Sequence, residues 1–154
     1  MFLLRIFYLK LIRRNTVKKL EADLYFDGAS KGNPGMAAVG VSILNTNQRT
    51  VIVEKSIYLG ETTNNAAEYM GLIHGLQLAQ QYGVTRINIY TDSMLVANHL
   101  KGIYKVRNSR LEPLYNRVIE LLKLFGDGYE ITHIPRSKNA RADELANEAI
   151  KRGY

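Results

Sequence analysis

The sequence predicts an α/β domain: a five-stranded mixed sheet, three antiparallel strands and then two parallel ones, flanked by helices. Three observations predict it. Residues 22–28, 36–44 and 50–59 are apolar, β-branched runs separated by Gly32-Asn33-Pro34-Gly35 and by a polar turn over 45–50, the pattern of an antiparallel meander. Beyond residue 65, helical periodicities alternate with two shorter strand patterns. The first of those is reached only through a long helix, which places it parallel to the first strand of the meander.

In chain order, residues 1–20 carry Arg5, Lys10, Arg13, Arg14, Lys18 and Lys19 and no acid. They hold +6 of a formal net charge of +7, so the remaining residues are nearly neutral. Arg5 and Lys10 interrupt an apolar run already too short to span a bilayer, and no small-residue cleavage site follows to suggest a secretory signal. The segment reads as a basic N-terminal extension, an arm or helix packed on a domain over 21–154, with a contact to nucleic acid as a further role. Organelle targeting is the competing reading, but such segments are ordinarily serine-rich. A cytoplasmic monomer is expected.

Leu24 and Phe26 fall on one face of the first strand, Tyr25 and Asp27 on the other, so Asp27 leaves the sheet near its middle. A carboxylate there persists when paired or holding a metal; a strand-end aspartate opening the glycine-rich turn is the other reading. Tyr69, Leu72, Ile73, Leu76 and Ala79 recur at helical spacing and predict a helix from Asn65 to Tyr82, stopped by Gly83. Arg86 to Thr91 alternates strictly as the fourth strand and ends in Asp92-Ser93, a cap for a short helix through Leu100. Leu111, Leu114, Tyr115, Val118, Leu121, Leu122 and Phe125 mark the next helix. Tyr129 to Ile134 is the fifth strand, and Asn139 caps a last helix whose apolar side is Ala142, Leu145, Ala146, Ala149 and Ile150.

A chain of 154 residues makes one domain with a sizeable core. It has no cysteine, which excludes disulfides, thiolate zinc sites and cysteine nucleophiles. Any metal must then be held by oxygen or by one of three histidines, which favours magnesium, manganese or calcium. The net charge points to a polyanionic partner, met in the near-neutral body through local clusters: Lys101, Lys105, Arg107 and Arg110, and Arg136, Lys138 and Arg141.

Three further acids stand near helix starts: Glu68 in the first turn of the long helix, Asp92 at the end of the fourth strand, and Asp143 in the first turn of the last helix. Singly, each has a local explanation. Asn65 and Glu68 have capping-box spacing, Asp92 can cap, and Asp143 complements a helix dipole. Jointly they say more. With strands one and four adjacent and parallel, Asp27 and Asp92 lie side by side, and Glu68 and Asp143 approach from the same sheet end. Four converging carboxylates repel and force protonation of at least one. A pair of divalent ions removes the conflict; oxygen-only ligation suits magnesium, and two ions about 4 Å apart suit phosphodiester hydrolysis.

Five blocks make the residues recognisable: Tyr25-Phe26-Asp27-Gly28-Ala29-Ser30-Lys31-Gly32-Asn33-Pro34-Gly35, Thr63-Asn64-Asn65-Ala66-Ala67-Glu68, Tyr90-Thr91-Asp92-Ser93, Tyr104-Lys105-Val106-Arg107-Asn108, and Pro135-Arg136-Ser137-Lys138-Asn139-Ala140-Arg141-Ala142-Asp143. In sequence and spacing they resemble the type 1 ribonuclease H family, over residues 22–153. The resemblance implies the ribonuclease H-like fold and endonucleolytic hydrolysis of the RNA strand of RNA/DNA hybrids by two magnesium ions, manganese substituting, with 5′-phosphate and 3′-hydroxyl ends. Carried over by position, it makes Asp27 the ligand shared by both ions. Asp143 helps hold the ion that activates water, and Glu68 and Asp92 complete the other site. It assigns Asn33, Asn64 and Asn65 to the hybrid's minor groove, where ribose 2′-hydroxyls distinguish RNA from DNA, and Thr63 to a phosphate of the DNA strand. Lys105, Arg107, Asn108 and Asn139 join them as substrate-binding residues.

Four departures qualify that pattern. Met94 stands where many members have glutamine, and Glu61 where a basic residue often supports phosphate binding. Gly102 to Arg110 connects two helices directly, so the chain resembles the branch lacking a basic protrusion, with Lys101, Lys105, Arg107 and Arg110 as substitutes. Many members carry a histidine in a loop before the last helix; here His133 is expected on the strand surface. His74 and His99 are expected to be structural. A catalytically silent hybrid-binding module, a proofreading exonuclease or a recombinase on the same fold, and a ribonuclease H domain cut from a reverse transcriptase are the alternatives. All four acids in their settings argue against the first, and Gly28-Ala29 after Asp27, in place of Asp-x-Glu, against the second.

Overall fold

The computed structural model describes residues 2–6 and 18–154. The expected basic extension lies mostly outside the described residues: 2–6 are helical, with Phe2, Leu3 and Leu4 exposed, and 18–20 lead into the first strand. From there the order is β1 (Glu21–Gly32), β2 (Gly35–Asn45), β3 (Val51–Thr62), α1 (Asn64–Gln81), β4 (Arg86–Thr91), α2 (Met94–Leu100), α3 (Glu112–Leu122), β5 (Tyr129–His133), a 3-10 turn (Arg136–Lys138) and α4 (Ala140–Arg152). Among the described residues no helix is long and apolar enough to cross a membrane.

One mixed sheet runs β3-β2-β1-β4-β5, antiparallel across β3, β2 and β1 and parallel across β1, β4 and β5. The expected three-plus-two arrangement is therefore the observed one. The first strand is longer than its apolar run because β1 stays paired with β2 out to Gly32 opposite Gly35. Only Asn33 and Pro34, joined by a cis peptide bond, are left for the turn.

Alternation along the strands sorts the sheet into two unequal faces. Leu24, Phe26, Val41, Ile43, Ile87 and Ile89 point to the side covered by α1 and α3 and form the main core with Tyr69, Leu72, Leu76, Val118 and Leu121. The opposite face carries Asp23, Tyr25, Asp27, Ala38, Gly40 and Ser42. There α4 is the packed helix, with Ala149 and Ile150 against Ala38. Gly40 sets the approach: a Cβ at this position would lie 2.0 Å from the Ala142 carbonyl oxygen. Arg141 then ties the helix to β3 through two bonds to Glu54, each 2.9 Å.

A methyl group at Gly40 must lift α4 from the sheet. Gly40→Ala is expected to cost about 1–3 kcal/mol and to lower Tm by about 5 °C in a thermal melt. An unchanged Tm would show that the helix tolerates a wider spacing.

Candidate active site

The parallel ladder between β1 and β4 ends with Tyr25 opposite Tyr90. Asp27 and Asp92 each follow two residues later, so the register brings both carboxylates to one level where the strands part. Glu68 comes from α1. Gly28 admits it: a Cβ there would lie 2.5 Å from Glu68 N and from Ala67 C, so only glycine lets the helix pass this close. One oxygen each from Asp27, Glu68 and Asp92 fall within 4.8 Å of one another. Asp143, in the first turn of α4, faces the same cleft of about 570 Å³ together with Asn64 and Asn65. All four predicted acids thus converge.

Two local expectations are corrected. Thr63, not Asn65, is the N-cap of α1, its Oγ1 accepting the Ala66 N–H at 3.2 Å. The helix therefore starts one residue early, and Glu68 lies beyond its first turn, turned inward rather than capping. Asn139 occupies the N-cap position of α4 but makes no side-chain cap bond. Its buried Nδ2 donates to the Phe26 carbonyl at 2.8 Å and approaches Asp92 Oδ2 at 3.4 Å. At 1% exposure it lies beneath the cleft rather than along its surface.

The electrostatics are those of crowded acid. Burial, then the Asp92 charge and the neighbouring Asp143, push the Asp27 carboxyl from 3.8 up to about 7. Burial, then the charges of Asp27 and Asp92, hold Glu68 well above the ordinary carboxylate range, against a lowering hydrogen bond from the Gly28 backbone. Glu68 Oε2 is enclosed with no hydrogen-bond partner. An orphaned buried carboxylate oxygen beside two other carboxylates fits a hard divalent cation, which takes oxygen donors and removes the repulsion.

The substrate-binding candidates separate into groups. Asn33 and Asn64 meet: Asn33 Oδ1 accepts the Asn64 N–H at 3.1 Å. Thr63 shares a second hollow with Glu61 and Arg110. Lys105 lines a third with His99 and Tyr104, and Arg107 is exposed on the same loop. Asn108 turns its Oδ1 to the Arg110 N–H at 2.8 Å, closing the turn into α3. None of Lys105, Arg107 and Asn108 lines the carboxylate cleft. Asn147, overlooked in the sequence, and Arg136, read there only as part of a basic cluster, do line it. Arg136 Nη2 stands 4.0 Å from Asp143 Oδ1 at the rim, and Asn147 Nδ2 donates to the same oxygen at 3.3 Å. The i, i+4 spacing of Asp143 and Asn147 carried that second signal. His133 is exposed at the end of β5, its Nε2 3.3 Å from the Asp92 carbonyl. His99 is buried and bonded through Nδ1 to the Tyr69 hydroxyl at 2.6 Å.

The profile of the Reverse transcriptase-like family matches residues 25–149. Ribonuclease HI of Halobacterium salinarum is 44% identical over 126 residues, 82% of this chain and 62% of that protein. The crystal structure of RNase H1 from the same archaeon superposes with a TM-score of 0.82 at 42% identity, covering 85% of this chain and 98% of that one. The chain belongs to the ribonuclease H family. A further family structure, LC11-RNase H1 in complex with an RNA/DNA hybrid, gives a TM-score of 0.81 at 38% identity over 86% of this chain and 98% of its own. This family member spans about 62% of the length of its curated archaeal relative. Its connection from α2 to α3 is a loop without an added helix, as expected for the branch lacking the protrusion.

In the metal-free protein Asp27 takes up its proton near pH 7 when folded and near pH 3.8 when unfolded. The contribution of this one group to stability is undiminished below about pH 4. It falls by up to about 1.4 kcal/mol per unit as the pH rises to 7, and levels off above. Asp27→Asn carries no such loss, so with chelator present it is expected to melt several degrees above wild type at pH 8 and level with it at pH 4. Equal melting at both pH values would mean that the carboxylates are not crowded.

Proposed function

We propose that this chain hydrolyses the RNA strand of RNA/DNA hybrids internally, leaving 5′-phosphate and 3′-hydroxyl ends. The observation that carries this is the in-register pair Asp27 and Asp92 with the unpartnered Glu68 oxygen beside them. Asp27, Glu68, Asp92 and Asp143 would hold two magnesium ions, or manganese in their place. When bound, the ions supply an activated water and charge neutralisation at the departing 3′ oxygen.

The chain's own groups prepare the site. Asn139 fixes the Asp92 carboxylate from below, Asn147 orients Asp143, and the Gly28 backbone steadies Glu68. Asn64 and Asn65 line the cleft and Asn33 is bonded to Asn64 beside it, so all three are offered to ribose 2′-hydroxyls. Thr63 and Arg110, sharing one hollow, are placed for a phosphate of the DNA strand. Lys105 and Arg107 extend that contact along the loop, while Asn108 and Asn139 act by holding backbone and carboxylate in place. Residues 21–154 form the catalytic domain, a cytoplasmic monomer, with 1–20 a basic arm that adds affinity.

The test is cleavage of an end-labelled hybrid with magnesium or manganese, beside RNA/RNA, DNA/DNA and single-stranded RNA. Only the RNA of the hybrid is expected to be cut, at internal positions, and Asp27→Asn to lose about a thousandfold or more in rate. A hybrid bound but uncut with either metal would overturn the reading. For the arm, deleting residues 1–20 is expected to flatten the dependence of log affinity on log salt, since each phosphate that the arm no longer neutralises takes about 0.9 from the slope on duplex DNA. An unchanged slope would mean that the arm does not touch the hybrid.

A further inference from the structure

On the sheet face that carries α4, the helix covers Ala38 and Gly40 and leaves the other half open. There a hollow of about 410 Å³ is lined by Tyr25, Leu44, Val51, Arg49 and Lys138. That volume lies within the range of small-molecule sites, and none of these residues lines the carboxylate cleft.

The hollow differs from the cleft in carrying an aromatic and aliphatic lining and three cations against one acid, Glu54. Tyr25 offers an aromatic surface backed by Tyr90, whose ring stacks on it at 4.9 Å and 13°. Leu44 and Val51 are apolar neighbours on β2 and the start of β3, and Val51 is 56% exposed. Arg49 is the one non-glycine residue with positive φ among the described residues, at 58°, an uncommon conformation for a bulky side chain. Its backbone N–H is fixed on the Asn45 carbonyl at 2.8 Å and its guanidinium on Asp23 at 2.5 Å. The turn therefore holds this cation beside Tyr25, and a guanidinium has donors beyond the one that Asp23 takes. Lys138 is exposed and makes no ion pair among the described residues. Arg141 and Glu54 also line the hollow but are paired with each other, Arg141 with Glu144 as well. The acid in the lining is thus neutralised, and Arg49 and Lys138 are the cations left to face a ligand.

A flat heteroaromatic ring matches the tyrosine and aliphatic lining, and an anion matches the two cations; a nucleotide has both. The neighbouring turn shows where one can come from. Arg136 lines the carboxylate cleft and Lys138, two residues on, lines the hollow. Asn139 lines the hollow too while contacting Asp92. Cations thus lead from one site to the other across a single turn.

We infer that this hollow binds a nucleoside monophosphate unit, with the base on Tyr25 and the phosphate between Arg49 and Lys138, supplied by the unpaired end of a strand leaving the cleft. The site stands on its own lining; the strand as its source rests on the hybrid-cutting reading.

The test uses the full chain, labelled with nitrogen-15 and titrated with AMP. Saturable amide shifts are expected at Ser42, Arg49 and Val51 and not at Asn65 or Glu68. Val51→Glu, an exposed substitution that places an acid in the hollow, is expected to abolish the shifts and to leave cleavage of a blunt hybrid unchanged. Lys138→Ala is expected to weaken AMP about threefold. In a second arm, a hybrid with a five-nucleotide RNA tail is expected to bind about fivefold or more tightly than a blunt one, with the gain abolished in Val51→Glu. No saturable shift at these amides, with no gain from the tail, overturns the site. AMP binding without a gain from the tail overturns the strand as source and leaves free nucleotides as the ligand. AMP binding in a chain that neither binds nor cuts hybrid upholds the site and removes the hybrid reading alone.

Discussion

Asp27 and Asp92 stand abreast because backbone hydrogen bonds two residues earlier, at Tyr25 and Tyr90, fix two parallel strands in register. Neither carboxylate would choose the position. The ladder imposes it, and the core behind the ladder stabilises the imposition: Leu24, Phe26, Ile87 and Ile89 are fully buried on the opposite face of the same two strands. A shift of one strand by one residue in that register would turn its two core side chains, Leu24 and Phe26 or Ile87 and Ile89, to the other face, so apolar burial fixes where the charges meet. The cost of assembling the acids is thereby spread over the sheet rather than borne by a loop.

Asp23 shows what the same strand does with a carboxylate meant to be satisfied. It lies on the same face four residues before Asp27 and is as deeply buried, at 2% against 6%. Protein donors surround it: Arg49, Thr46 at 2.8 Å and Asn88 at 3.0 Å. Around Asp27 the close neighbours are Glu68, Asp92 and Asp143, other acids that supply no cation. One end of β1 therefore closes its electrostatics with side chains, and the other leaves them open to a ligand. The difference lies in what β4 and the β2–β3 turn place nearby, not in burial.

Much of this was legible in the sequence, for identifiable reasons. The meander, the helices and the parallel fourth strand follow from periodicity and turn residues, and the convergence of the four acids follows once β1 and β4 are neighbours. What escaped depended on contacts between distant residues. Asn139 stands at a helix start and looked like a cap, but its amide is spent on the Phe26 carbonyl, 113 positions away. Thr63 took the capping role from Asn65 because its hydroxyl meets the Ala66 N–H, a choice that spacing alone does not make. Asp23 and His99 carried no signal of their own, since Arg49 and Tyr69 become their partners only after the hairpin and α1 have packed.

The two faces of the sheet are covered unequally, and the four converging acids do not all belong to the better covered one. Asp27, Asp92 and Glu68 sit on or against elements of the main core, whereas Asp143 rides on α4. That helix buries Ala142, Leu145, Ala146, Ala149 and Ile150 on a face separate from the main core, with Arg141 and Arg152 tying it to β3. Elements with less buried apolar surface open at lower free energy than the molecule as a whole. The last helix is thus the element whose departure would remove Asp143 while leaving the sheet and its main core in place. Each such departure would take the fourth carboxylate out of the cleft, so on the proposed reading the loss of cleavage on heating would report the docking of one helix.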